Sequence, residues 1–207
     1  MLHLKKLVGS CALGLSVALG LSSLMSGCQS IPTSAMVTDA AFWQGMQAKL
    51  KAVKAVSLFG RANIVHEDLR FSANYLYQGS DSRNYTLRLT SSLGSELAYL
   101  KVTPEEAQLL AQGKLFTAPS PQELFAQVVS MQLPLDEFHQ LIMGIAPNAQ
   151  SQFNEAGILV SSQVPGFVIT YRNYQTVEDL ALPSEIEIVG PNTRILLFTR
   201  TIQSLER

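Results

Sequence analysis

Two cysteines and three histidines are the candidate nucleophiles and ligands of this 207-residue chain. Asp136 and Glu137 beside His139 form a cluster of acids with a histidine, the pairing used in general acid–base catalysis. Those acids also fall at the predicted start of a helix, where they serve its dipole. His66 sits at a predicted turn and His3 in an apolar leader, so the histidines, without cysteines at ligand spacing, make no metal site. HExxH and GxSxG are both missing from the sequence. The reading is therefore a protein that is not an enzyme, with no catalytic and no metal-binding residues. A hydrolase whose nucleophile and base meet only in space is the enzymatic alternative. What remains is the thiol of Cys28, directly after Leu24-Met25-Ser26-Gly27.

Residues 1–6 carry Lys5 and Lys6 with no acid, and residues 7–25 are apolar or small, which is the layout of a secretory signal. Gly9, Gly14, Gly20 and the serines dilute the run, and no basic stop-transfer cluster follows it, so it reads poorly as a spanning helix. A cysteine after small residues at the end of such a run resembles the lipobox of bacterial lipoproteins, with Met25 where leucine is usual. The resemblance implies cleavage before Cys28 and a diacylglycerol plus an N-acyl chain on it, with no other cofactor. An ordinary cut nearby is the alternative, leaving a free thiol, a liability in an oxidising compartment. Cys11 would leave with the signal, so the mature chain is expected to hold no disulfide. The chain then divides into a signal (1–27), a lipid-anchored tether broken by Pro32 (28–38) and one domain (39–207).

Removing Lys5 and Lys6 from the 15 basic residues leaves 13 against 16 acidic ones, which gives no reason to expect nucleic acid as a partner. Hydrophobic content of 47% with 15% charge supports a folded core. Thr38 or Asp39 can cap a helix over residues 40–56, where Phe42, Met46, Leu50 and Val53 share a face. From Ser57 the period falls to two. Six short strands are expected up to Leu115-Phe116-Thr117, with turns at His66-Glu67-Asp68, Gly79-Ser80-Asp81-Ser82, Ser91 to Ser95, Pro104 and Gln112-Gly113-Lys114. Ser120-Pro121 caps a second helix whose stripe takes in Leu124, Val128 and Met131-Leu133, and a third runs from Pro134 or Leu135 to Met143. About four more strands follow (158–162, 167–174, 185–189, 194–201), separated by Pro165-Gly166, Pro183 and Gly190-Pro191-Asn192.

About ten to eleven antiparallel strands with three helices imply a mainly β fold: an open, strongly curved antiparallel barrel with helices on its concave side. Apolar residues on both strand faces allow a cavity, with an ordinary two-layer core as the alternative.

Several pieces stand in a telling order: Trp43 in the first helix, Phe59-Gly60-Arg61-Ala62, Tyr75 to Gln78, Tyr85-Thr86-Leu87-Arg88-Leu89 before Ser92-Leu93-Gly94, Leu133-Pro134-Leu135, Leu141-Ile142-Met143-Gly144, Phe167 to Tyr174, and Leu182-Pro183. In that order and spacing, from Trp43 to Ile202, the chain resembles the LolB family of outer-membrane lipoproteins. The resemblance implies a monomer, anchored on the periplasmic face of the outer membrane of a Gram-negative cell. Such a receptor takes triacylated lipoprotein cargo from a LolA-type periplasmic carrier into an apolar cavity and inserts it among outer-membrane lipids. Gln29, which is not aspartate, favours that membrane. The family's protruding leucine, needed for insertion, matches Leu93, whose ordinary reading is an exposed hairpin leucine. For the acyl-chain cavity the expectation is Tyr75, Tyr77, Leu87, Leu89, Leu97 and Tyr99. Two departures stand out: the family usually has tryptophan at Tyr77 and proline at Ser92. A structural lipoprotein that scaffolds envelope assembly without lipid transfer is the other reading.

Overall fold

The computed structural model describes residues 40–129, 131–148, 150–154 and 158–207. The predicted signal, Cys28, the tether and the capping pair Thr38 and Asp39 lie outside them. Helix α1 (Ala40–Lys51) opens the described chain. The strands in chain order are β1 (Ala55–His66), β2 (Leu69–Asp81), β3 (Asn84–Thr90), β4 (Glu96–Val102), β5 (Ala107–Ala111) and β6 (Lys114–Ala118). Helices α2 (Pro121–Val129) and α3 (Phe138–Met143) come next, then β7 (Gln152–Phe153), β8 (Leu159–Val164), β9 (Phe167–Val177), β10 (Leu180–Gly190) and β11 (Thr193–Glu206).

All eleven strands join one antiparallel sheet in the order β6-β5-β4-β3-β2-β1-β11-β10-β9-β8-β7. Every neighbouring pair is consecutive in sequence except β1 with β11, which run side by side from Ala55 opposite Glu206 to His66 opposite Thr193. The chain thus meanders to β6, crosses through α2 and α3, and meanders back until its last strand meets its first. The two free edges, β6 and β7, are the strands that the helical segment connects. An open, curled sheet with helices on its inner side is what the alternating pattern predicted, and the two-residue β7 is the strand it missed.

Several element boundaries differ from the sequence reading. Helix α1 stops at Lys51 rather than continuing to Val56, because the Lys54 N–H bonds the Glu206 carbonyl (2.8 Å) and draws the chain into β1. Helix α2 stops at Val129, and Met131, Leu133 and Leu135 are buried in a non-helical segment instead of a helical stripe. Pro134 explains this, since it lacks an N–H and biases Leu133 away from helical dihedrals. Asp136 and Glu137 consequently precede α3, with Glu137 at its N-cap. Pro183 was expected to separate strands but lies inside β10, where the register against β9 shifts between Pro183 and Ile186. A bulge is where a strand tolerates a residue that donates no ladder bond. The turn falls instead at Glu178-Asp179, where Asp179 bonds Lys49 of α1 (2.8 Å) and Arg207.

Buried Gln47 fastens α1 to the loop after α3: its Nε2 donates to the Gly144 carbonyl (2.9 Å) and its Oε1 accepts from the Ala146 N–H (2.8 Å). Gln47→Ala strands both backbone groups and should cost about 1–3 kcal/mol. That corresponds to roughly 5 °C of melting temperature in a domain this size. Thermal melts check this, and an unchanged midpoint would mean water replaces the amide without loss.

Candidate functional site

Between the inner face of the sheet and the helical segment lies a cavity of about 410 Å³. Such a volume falls in the range of small-molecule sites. Its sheet side comes from Ala62 and Ile64 of β1, Phe71 and Tyr75 of β2, Leu87 and Leu89 of β3, Ala98 of β4, Leu109 of β5, Phe116 of β6 and Ile195 and Leu197 of β11. The helical side is Phe125 and Val128 of α2, then Met131, Leu133, Leu135 and Phe138. Polar lining is sparse, with His66, Gln112 and Lys114 all at one end. His66 Nδ1 is already bonded to Thr193 Oγ1 (2.8 Å). The site can therefore shelter an apolar chain, with polar contacts only at its rim.

The topology says which end opens. In an antiparallel meander alternate turns share an end, and the β1–β2, β3–β4, β5–β6, β8–β9 and β10–β11 connections share this one. His66 and Leu69 of the first, and Gln112 and Lys114 of the third, line the cavity. The opposite end is plugged. Tyr77 stacks near Tyr85 (ring centroids 5.5 Å) and edge-on to Phe138 (5.7 Å), and Tyr85 donates to the Leu135 carbonyl (3.0 Å). Tyr75 forms the cavity floor, its hydroxyl hydrogen-bonded to Thr199 Oγ1 (2.7 Å) and its pKa pushed up to about 12 by burial. Its ring lies over Gly60, where a Cβ would stand 2.6 Å from Tyr75 and 2.1 Å from the Phe198 carbonyl oxygen. Only glycine permits that approach.

Of the six residues expected to line the cavity, Tyr75, Leu87, Leu89 and Leu97 do so and two do not. Tyr77 is fully buried in the plug beneath it. Tyr99 is on the outer face, opposite Arg88, whose guanidinium sits 5.3 Å from its ring centroid. Leu97 reaches the rim because the β3–β4 register slips between Leu89 and Thr90. The lining from α2 and from Met131, Leu133 and Leu135 was missed, although the last three recur at a period of two that reads as an extended buried segment.

Leu93, in the β3–β4 connection, is 93% exposed at the open end. Its loop is well braced. The Ser91 hydroxyl accepts from the N–H groups of Leu93 (3.3 Å) and Ser95 (3.1 Å). The Gly94 N–H bonds the Ser91 carbonyl (3.0 Å), the Ser91 N–H bonds the Ser95 carbonyl (2.8 Å), and Gly94 takes φ +86°. The stiffness that proline at position 92 would give is supplied here by Ser91.

His139 is buried, bonded through Nδ1 to the Tyr77 hydroxyl (2.7 Å), and burial lowers its pKa. It faces the plug, and the acid whose charge reaches it is Asp81, which opposes the effect of burial, rather than Asp136 or Glu137. The Asp136–Glu137–His139 cluster therefore does not assemble as an acid–base pair. Among the described residues no group of three or more His, Cys, Asp or Glu is placed to hold a metal ion. A folded-state pKa below the unfolded one means that the unfolded chain gains the proton first as pH falls. This stability is present above about pH 6.5 and is lost as pH falls below it toward the folded value. Wild type should therefore lose melting temperature between pH 7.5 and 5.5 more steeply than His139→Gln. Equal slopes would show that His139 is not the group responsible. Asp136 and Glu137, whose pKa values burial raises, act with the opposite sign in both proteins and so leave the comparison between wild type and variant unchanged.

An open antiparallel sheet curled around helices, with an apolar cavity between, is the LolA/LolB-like class of fold. A LolA-superfamily protein of Nitrosomonas europaea shares it, with a TM-score of 0.51 at 8% identity over 77% of this chain and 92% of that one. The family model described as outer membrane lipoprotein LolB matches residues 54–201. The outer-membrane lipoprotein LolB of Psychromonas ingrahamii is 29% identical over 80% of this chain and 83% of its own length. That of Pectobacterium carotovorum is 27% identical over 75% and 78% respectively. The chain belongs to the LolB family of outer-membrane lipoproteins.

Proposed function

We propose that this protein accepts lipoproteins from a LolA-type periplasmic carrier, holding their acyl chains in the cavity, and inserts them into the outer membrane. The observation that carries this reading is an apolar cavity opening at the same end of the sheet from which a braced loop holds Leu93 into solvent. A purely scaffolding lipoprotein has no use for such a cavity. Residues 1–27 act as the signal, Cys28 carries the diacylglycerol and N-acyl chain, and residues 28–38 tether the mouth to the periplasmic face of the membrane. The chain works as a monomer with no further cofactor.

Transfer then needs no covalent step. Each methylene moved from water into the cavity is worth about 0.8 kcal/mol, so roughly ten of them hold a cargo firmly. Direction comes from differences of affinity along the series carrier, cavity, bilayer. A preference of about 1.4 kcal/mol per step is tenfold. The reading is tested by titrating the secreted Cys28→Ala chain with a fluorescent triacylated lipopeptide. Saturable one-to-one binding that long-chain amphiphiles displace is expected. Absence of binding by the folded chain would remove the cavity's role and leave the scaffold reading.

A further inference from the structure

The outer face of the sheet carries an apolar surface that the cavity and the Leu93 loop do not explain. Leu115 of edge strand β6 lies directly opposite Leu110 of β5, and Leu110 opposite Tyr99 of β4. Directly opposed residues touch. Leu115 is 62% exposed and Leu110 39%. Both flank the β5–β6 turn, and so sit at the open end with Leu93 and the 44%-exposed rim residue Leu97. One exposed leucine needs no explanation, whereas four with a tyrosine around one corner of a fold form a patch that does.

Charge narrows the occupant. On this outer face Arg88 and Lys101 are exposed, and exposed Lys114 reaches the same corner from the cavity rim; the acids beside them are Glu96, paired with Arg88 (3.3 Å), and Glu106, which accepts from Gln108 opposite Lys101. Arg88 also lies over the Tyr99 ring, an amphipathic arrangement suited to a water–lipid boundary. Apolar side chains bordered by lysines that form no ion pair among the described residues match an anionic bilayer surface.

We propose that the corner formed by Tyr99, Leu110 and Leu115, with Lys101 beside it and Lys114 at the adjoining cavity rim, is a second membrane contact that lays the β4–β6 side of the sheet on an anionic bilayer. It rests on the reading of Leu93 as the residue that enters the membrane, and extends it from a single loop to a face. Two contacts fix a tilt where one allows rotation about the tether. The cavity mouth is thereby held at headgroup level with its β3–β6 rim downward.

The test uses the acylated chain, whose Cys28 thiol is then blocked, reconstituted in vesicles of phosphatidylethanolamine and phosphatidylglycerol without carrier. Single variants Leu93→Cys, Leu110→Cys, Leu115→Cys and Val189→Cys each carry a polarity-sensitive fluorophore. Val189 is 44% exposed and stands on β10, separated from this corner by β11, β1, β2 and β3. Labels at 93, 110 and 115 are expected to shift to the blue and to be quenched by lipid-borne quenchers, with the label at 189 unchanged. In phosphatidylcholine vesicles the shifts at 110 and 115 should fall at least twofold. If the label at 93 enters the bilayer while 110 and 115 stay in water, the face is wrong and the role of Leu93 stands. If no label enters, both fall. Shifts that appear only at high protein density, or only with carrier present, would overturn the inference in favour of a protein partner, as would equal shifts in neutral vesicles.

Discussion

Leu93→Glu is expected to leave the fold and acyl-chain binding intact and to reduce membrane insertion of cargo at least a hundredfold. The side chain is 93% exposed, and the loop is held by backbone groups and the Ser91 hydroxyl, none of which the substitution touches. The melting temperature should therefore not move. Insertion is different. Burying a leucine in lipid is worth about 1.5–3 kcal/mol. Placing a carboxylate there costs a further amount of about 2–3 kcal/mol, less near the headgroups. A summed loss above about 3 kcal/mol corresponds to more than a hundredfold in rate, at about 1.4 kcal/mol per factor of ten. Leu93→Ala forfeits only the first contribution and should fall near tenfold. Cargo would accumulate on the Leu93→Glu variant, and a flotation assay separates held from inserted lipoprotein. Normal insertion by the variant would return Leu93 to an ordinary surface residue.

Ala98→Trp should have the opposite signature, blocking acceptance while sparing the loop. Ala98 lines the cavity near its mouth, between Leu89 and Ala111 on the neighbouring strands. An indole there grows into space that cargo would occupy rather than into packed core. Displacing two or three methylenes at about 0.8 kcal/mol each removes about 2 kcal/mol of affinity. That is roughly a thirtyfold weaker complex with a triacylated lipopeptide. Ala98→Ser serves as the control for a small change at the same place. A tryptophan variant that binds as tightly as wild type would mean the chains lie elsewhere.

The sheet was readable because its strands alternate: inner Ala62 and Ile64 against outer Arg61 and Asn63, inner Leu87 and Leu89 against outer Thr86 and Arg88. Alternation gives a face but not a depth. Tyr75 and Tyr77 share a face, yet one is the cavity floor and the other lies in the plug under Phe138, a distinction made by where α3 lands. Nor does alternation show a slipped register. Leu97 and Tyr99 looked equivalent until the irregularity between Leu89 and Thr90 separated them. Long-range partners left no local mark at all. Nothing beside Ala55 announces Glu206 across the β1–β11 pair, and Gln47 reads as an unremarkable helix residue until Gly144 and Ala146 are brought to it. Pro183 misled because a proline can fill a bulge as well as end a strand. The exposed leucines 110 and 115 were visible as letters, but only the pairing of β4, β5 and β6 places them beside Tyr99.

The most direct measurement mixes a LolA-type carrier loaded with a radiolabelled lipoprotein with the secreted Cys28→Ala chain, then separates the two proteins and counts the label. Spontaneous movement of most of the cargo onto this chain, without nucleotide and with little return to emptied carrier, is the predicted result. Cargo that stays with the carrier while the chain is folded and in excess would contradict the proposed transfer.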